Sequence, residues 1–417
     1  MAPVGSWESL VAAHLGGADA IYFGIEGLNM RSKSSVNFSL DDLHEIATWC
    51  QERGLRSYLT VNTIIYDSDV DYMHRIVDAA RDAGITAVIA SDIATIGYAR
   101  SVGVEVHIST QVNVSNSEAV RFYSQWADVM VLARELNMEQ VAAIADSIRR
   151  DDIRGPHGDR VRLEMFCHGA LCMAISGKCY LSLHQAGTSA NRGECRQICR
   201  RNYLVTDRET GDELAVHDKY IMSPKDLKTI HFINRMVDAG VTVFKIEGRA
   251  RGPEYVRIVT ECYNEALTAV CNGTYGTTVQ PTSWDERLSR VFNRGFWNGY
   301  YLGQRLGEWT SKYGSSATRV KIYAAKAIRY FGNIGVAEFK VEAGDVAVGN
   351  EVLIIGPTTG AVPLVVEEIR VDLQPVERAT RGEHFSIKVP CKVRPGDRLY
   401  LWKLSPAAQQ GCNSGSE

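Results

Sequence analysis

The chain has 417 residues, 45% of them hydrophobic and 23% charged, with a formal net charge of −3. That length predicts two domains rather than one core, and the near-neutral balance excludes nucleic-acid binding by bulk attraction while leaving a local basic patch open. No run of about 18 apolar residues occurs, which excludes a helical membrane span.

The opening MAPVGSWESLVAAHLGG has neither the basic start nor the long apolar centre of a secretory signal. Ten cysteines in such a chain predict a reducing, cytoplasmic setting in which thiols are ligands or core residues. Up to about residue 250 one unit recurs: an amphipathic helix, a small-residue turn, then an apolar strand ending in a polar residue. Counting residues 1–4 as the first strand, the others fall at 18–26, 55–62, 85–92, 104–113, 127–135, 160–168 and 241–249. Helix starts carry cap signals, Ser39 with Asp42 and Ser223 with Pro224, the latter opening a helix predicted over 223–240. Eight βα units in about 250 residues predict an α/β fold, a (β/α)8 TIM-like barrel with a cysteine-rich insertion. A doubly wound sheet is the alternative, but no GxGxxG follows the first strand.

The barrel is expected over 1–275, with the cysteine stretch at 164–201 and a hairpin over 202–222 that turns near Thr210 and Gly211. Residues 276–317 read as a linker and an aromatic connector. Period-two strands with turn punctuation over 318–405 predict a small C-terminal all-β barrel. The polar tail, 406–417, is expected to be disordered.

In such a barrel, chemistry sits at the C-terminal strand ends. Those ends carry Glu26, Asn62, Asp92, Gln111 with Asn113, Arg134 with Glu135, His168, and the Lys245-Ile-Glu247-Gly-Arg249 run. Lys245 and Glu247 share one face of their strand. Together with His168 they are the candidate catalytic residues. Asn62, Gln111, Arg134, Arg249 and the nearby Arg192 are the candidate substrate-binding residues. Individually each could be a cap or a solvated loop residue; their coincidence at one end is the signal.

Between 164 and 201 lie five cysteines, four of them in two pairs, Cys172-x6-Cys179 and Cys195-x3-Cys199. A polar, Gly-containing loop separates the pairs, and four thiolates on one centre would hold it, as a structural zinc or an iron–sulfur cluster does. Neither pair is the CxxC usual for zinc, which favours iron–sulfur. Buried core cysteines are the plainer reading and suit Cys50, Cys262 and Cys271. A catalytic thiol at Cys167 beside His168 is a further reading, although neighbours on a strand point to opposite faces. HExxH and GxSxG are both absent. The arginines around the cysteines (192, 196, 200 and 201) could meet RNA phosphates.

The run from Glu164 through Gly169-Ala170-Leu171-Cys172, Gly177 and Cys179 to Ser182 resembles the signature of peptidase family U-32, the collagenase-like peptidases. Asn191-Arg192-Gly193, Cys195, Cys199, GADAIYFG (17–24), SPKDL (223–227) and KIEGR (245–249) continue the resemblance over nearly the whole chain. It implies a barrel plus a small β-domain and a [4Fe-4S] cluster on Cys172, Cys179, Cys195 and Cys199. It also implies hydroxylation rather than proteolysis, most similar to the branch that forms 5-hydroxyuridine at the tRNA wobble position with prephenate as oxygen donor. Other branches hydroxylate rRNA or a quinone precursor. Cys167 is an additional thiol able to replace a ligand. The partners so implied are tRNA or another RNA and a small oxygen donor, with no membrane.

Overall fold

The structure, a computed structural model, describes residues 1–32, 37–201, 203, 205–211, 213–214, 222–310, 314–406 and 408–409. The first part alternates strands and helices: β1 (Ala2–Pro3), α1 (Trp7–Leu15), β2 (Ala20–Phe23), α2 (Asp42–Gln51), β3 (Arg56–Val61), α3 (Val70–Ala83), β4 (Ala87–Ala90), α4 (Ile93–Ser101), β5 (Glu105–Ile108), α5 (Ser117–Tyr123), β6 (Val129–Val131), α6 (Met138–Arg150) and β7 (Arg162–Gly169). Within the cysteine stretch lies α7 (Leu181–Ala186), followed by the short pair β8 (Val205–Thr206) and β9 (Glu213–Leu214). Then come β10 (Asp226–Lys228), α8 (Ile233–Asp238), β11 (Val241–Ile246), α9 (Pro253–Cys271), α10 (Asp285–Arg290) and β12 (Phe296–Trp297).

The helices follow from their sequences. In α3 the apolar residues Met73, Ile76, Val77 and Ala80 recur at helical spacing and are buried, and Gly84 ends the helix at φ 76°. Helix α6 begins with a capping box between Asn137 and Gln140. The serine of the predicted cap at 39 donates its N–H and hydroxyl to Asp42 at 2.7 Å.

Strands β1 to β7 pair in sequence order and in parallel, and β11 pairs in parallel with β7. Two backbone hydrogen bonds run between the eighth parallel strand and the first. The Met1 amino group donates to Phe244 O at 2.8 Å and Ile246 N–H donates to Met1 O. Strands β1 to β7 are buried on both faces apart from the first residue of β3, β5 and β7, as expected of a parallel sheet covered by helices, while β11 is partly open at Thr242.

One predicted helix is not there. Residues 226–228 form β10, antiparallel to β7 and parallel to β12, so the SPKDL run extends the sheet and α8 begins only at Ile233. The cap signal at Ser223-Pro224 loses to tertiary pairing: Leu227 is buried opposite Gly169, and Thr229 donates its hydroxyl to Cys167 O at 2.9 Å. Of the predicted hairpin, Val205 pairs Leu214 and Thr206 pairs Glu213, while residues 202, 204, 212 and 215–221 lie outside the described residues. So do 407 and 410–417 of the predicted tail. Cys50 and Cys262 are buried core residues, but Cys271 is exposed at the end of α9.

The C-terminal part is antiparallel throughout: β13 (Arg319–Phe331), β14 (Val336–Val341), β15 (Asp345–Ala347), β16 (Glu351–Gly356), β17 (Gly360–Val365), β18 (Ile369–Val371), β19 (Gln374–Val376), β20 (Arg378–Thr380), β21 (His384–Lys388) and β22 (Arg398–Leu404). Eight of these form one sheet in the order β17-β16-β22-β13-β14-β21-β18-β19, and β15 pairs β20. It has its own core around Phe339, Phe385 and Leu399. Leu353, Ala361 and Trp402 instead join the core of the first part, packing the two parts together. No helix among the described residues is long and apolar enough to cross a membrane.

Candidate active site

A cavity of about 310 Å³ opens at the C-terminal ends of the parallel strands. Its floor comes from strand ends: Tyr22, Thr60, Asn62, Gln111, Arg134, Phe166, Lys245, Glu247 and Arg249. Its roof is the cysteine stretch. Gly169 lets the chain leave β7 under this roof, because its φ is +102° and a Cβ there would stand 2.3 Å from Glu247 O.

The floor is a hydrogen-bonded array of charges. Arg31 meets Glu247 at 2.8 Å, and the Tyr22 hydroxyl lies 3.4 Å from the same carboxylate. Burial pushes the Glu247 pKa up, but Arg31, Arg134 and Arg249 outweigh it and hold it at about 2, so this carboxylate is ionised at neutral pH. Arg249 is pushed down to about 10 by burial and donates to Asn29 Oδ1 at 3.0 Å and Thr60 Oγ1 at 2.9 Å. Asn62 donates to Ser109 Oγ and Gln111 Oε1 at 3.1 and 3.2 Å. Arg134 stacks over Phe166 at 4.1 Å and donates to Ala170 O at 3.2 Å, while its buried Nε has no partner.

Two cross-ties fold the cysteine stretch onto itself. Arg200, next to Cys199, donates to Leu171 O at 2.6 Å, next to Cys172. The Arg196 N–H, next to Cys195, donates to Ser182 Oγ at 3.0 Å, near Cys179. Arg200 also anchors the stretch to Ser223 and Pro224. All four thiols are free and line the cavity. Burial raises the Cys199 thiol pKa, and Cys172, Cys195 and Cys179 add to that rise against Arg200. Among the described residues, no three His, Cys, Asp or Glu side chains converge tightly enough to grip a single metal ion. Four thiols on one side of the cavity are the soft donor set that an iron–sulfur centre takes.

Of the sequence candidates, Asn62, Gln111, Arg134, Lys245, Glu247, Arg249 and the four cysteines come together here. Lys245 is paired with Glu164 at 2.7 Å rather than with Glu247, both partners being buried. His168 does not line the cavity. Cys167 is an extra residue in the β7–β11 register, where Lys245 faces Phe166 and Ile246 faces His168, and this bulge turns His168 outward. There it packs among Tyr255, Tyr263 and Phe296, and burial pushes its pKa down to about 3. The Cys167 thiol is buried, pushed up to about 12, and donates to Lys245 O at 3.4 Å. Arg192 also lies off the cavity, stacked over Tyr66 and paired with Asp69, where it fastens the cysteine stretch to the loop after β3.

Tyr22, Arg31, Arg251 and Arg294 line the cavity but are not among the strand-end candidates. Arg31 and Arg294 come from loops, and only the basic residues in GLNMR (27–31) and FNRG (292–295) hint at them.

A family model described as Peptidase family U32 matches residues 5–311. A Porphyromonas gingivalis protein named collagenase is 63% identical over 400 residues, with 96% of each chain covered. The tRNA hydroxylation protein P1 of Bacillus subtilis is 31% identical over 75% of this chain and 74% of its own. The 23S rRNA 5-hydroxycytidine C2501 synthase of Escherichia coli is 35% identical over 62% of this chain and 37% of its own. The chain therefore belongs to peptidase family U32.

Proposed function

We propose that this protein is an iron–sulfur-dependent RNA hydroxylase that forms 5-hydroxyuridine at the tRNA wobble position with prephenate as oxygen donor. The observation that carries this reading is the cavity's composition: four free thiols above a floor and wall holding seven basic side chains and one acidic one, Glu247. A thiol set of that kind suits a [4Fe-4S] cluster on Cys172, Cys179, Cys195 and Cys199, which when bound supplies the electron-handling centre of the reaction. The surplus of guanidinium suits an anionic co-substrate. Arg134, with its unpartnered Nε, is the anchor for a carboxylate. Asn62 and Gln111 offer amide groups for the base or the donor. Glu247 is held ionised, so it orients Arg31 and does not donate a proton. The eight parallel strands make a closed ring in this proposal, which the hydrogen bonds between β11 and Met1 support.

A peptidase is the second reading, favoured by the name of the 63% identical relative. It requires an activated nucleophile, and Cys167 is buried with its pKa raised while the neighbouring His168 faces Tyr263. The test is iron and sulfide analysis of protein purified without oxygen. About four irons per chain are expected for the wild type and near none for Cys179→Ala. Full iron content in that variant would remove Cys179 from the ligand set, and one zinc in place of iron would make the stretch a structural staple.

A further inference from the structure

We propose that the outer face of the C-terminal sheet carries an RNA track: a lateral row of four basic residues, Arg398, Lys326, Lys340 and His384, that grips successive phosphates. This rests on the RNA reading above and adds to it a second contact surface, away from the cavity.

The row follows from the strand register. Lys326 of β13 stands opposite Arg398 of β22 on one side and Lys340 of β14 on the other, and Lys340 stands opposite His384 of β21. All four are exposed, and the residues beside them in sequence, Ala325, Ala327, Phe339, Val341, Phe385 and Leu399, point into the core. Alternation therefore sets the four on one outward face. With strands about 4.8 Å apart the row reaches about 14 Å, on the order of several successive phosphates.

Like charges directly opposite one another cost a sheet stability, so the two consecutive pairs Arg398–Lys326 and Lys326–Lys340 call for a compensating partner. Lys326 and Lys340 have no ion-pair partner among the described residues, and Arg398 is met by the Tyr400 hydroxyl. Glu338 is taken up by His384 Nδ1 at 2.8 Å, at the end of the row, and Glu342 by the Tyr323 hydroxyl, which leaves neither of these carboxylates paired with Lys326 or Lys340. The sheet that carries the row is tied to the first part of the chain. Lys321, on the same strand as Lys326, pairs at 2.8 Å with Glu254 in the first turn of α9, only a few residues beyond the cavity residues Arg249 and Arg251.

The test uses the full-length protein and an unmodified tRNA transcript, with affinity measured by fluorescence anisotropy across a salt series. Lys326→Glu/Lys340→Glu should weaken binding about tenfold or more and make the log–log salt slope shallower by about 2. Lys326→Arg/Lys340→Arg should bind as wild type, which separates lost charge from lost fold. A charge-matched control at the opposite ends of the strands, Arg56→Glu/Arg100→Glu, should change little. Equal weakening in that control, or an unchanged slope in the lysine variant, would overturn the track while leaving the RNA reading standing. Wild-type protein that ignores tRNA but binds an acidic polypeptide would overturn both.

Discussion

Glu247 shows how a residue's environment decides its role. Its strand position makes it a candidate acid or base, and the sequence motif KIEGR supports that much. Its three guanidinium neighbours then fix it as a permanent anion, so the chemistry open to it is orientation of Arg31. Because its folded pKa is depressed from 4.5 to about 2, the stability it contributes is present above the unfolded value and is lost as pH falls from about 4.5 through 2. Glu247→Gln should cost about 3 kcal/mol at pH 7 and lower RNA hydroxylation at least tenfold while leaving iron content intact. Urea unfolding and nucleoside analysis on the same preparation check both. Unchanged hydroxylation would take Glu247 out of the site. Residues on regular strand ends, such as Asn62, Gln111, Arg134 and Arg249, were legible because strand order and direction alone position them. Arg31 was not, because a loop carries it and only tertiary packing aims it.

At the scale of elements, the bulge at Cys167 separates what the pattern could tell from what it could not. Period-two alternation from Phe166 points His168 into the mouth; one extra residue in the ladder reverses it. No sequence pattern marks a bulge of this kind. The consequence is a neutral histidine locked against α9, with its pKa lowered to about 3 by burial and by Lys228 and Arg251. A depressed pKa means stability that is full above about 6.5 and lost as pH falls toward 3. Between pH 7 and pH 5 the protein should lose about 2 kcal/mol through this one group. His168→Gln should flatten that part of the stability–pH curve, and an identical slope in wild type and variant would contradict the burial argument. The SPKDL run makes the same point for secondary structure: its local signals favour a helix, and the sheet pairing available at Gly169 overrides them.

Over the whole molecule, the alternation of helix and strand, the β-rich C-terminal region and the placement of the cysteine stretch over the strand ends were all readable from periodicity and spacing. The basic row on the C-terminal sheet was not, because it exists only once Arg398, Lys326, Lys340 and His384, far apart in sequence, are brought into register. The proposed function assigns oxidation of a base to a thiol-lined, cation-rich cavity, in a family whose members are named for tRNA hydroxylation and for collagenase. The most direct test is to incubate anaerobically purified protein with prephenate and an unmodified tRNA transcript, then digest the RNA and weigh its nucleosides. Wild type should yield a uridine heavier by one oxygen, and Cys179→Ala none. Unmodified tRNA from iron-replete protein, alongside cleavage of a collagen peptide, would contradict it.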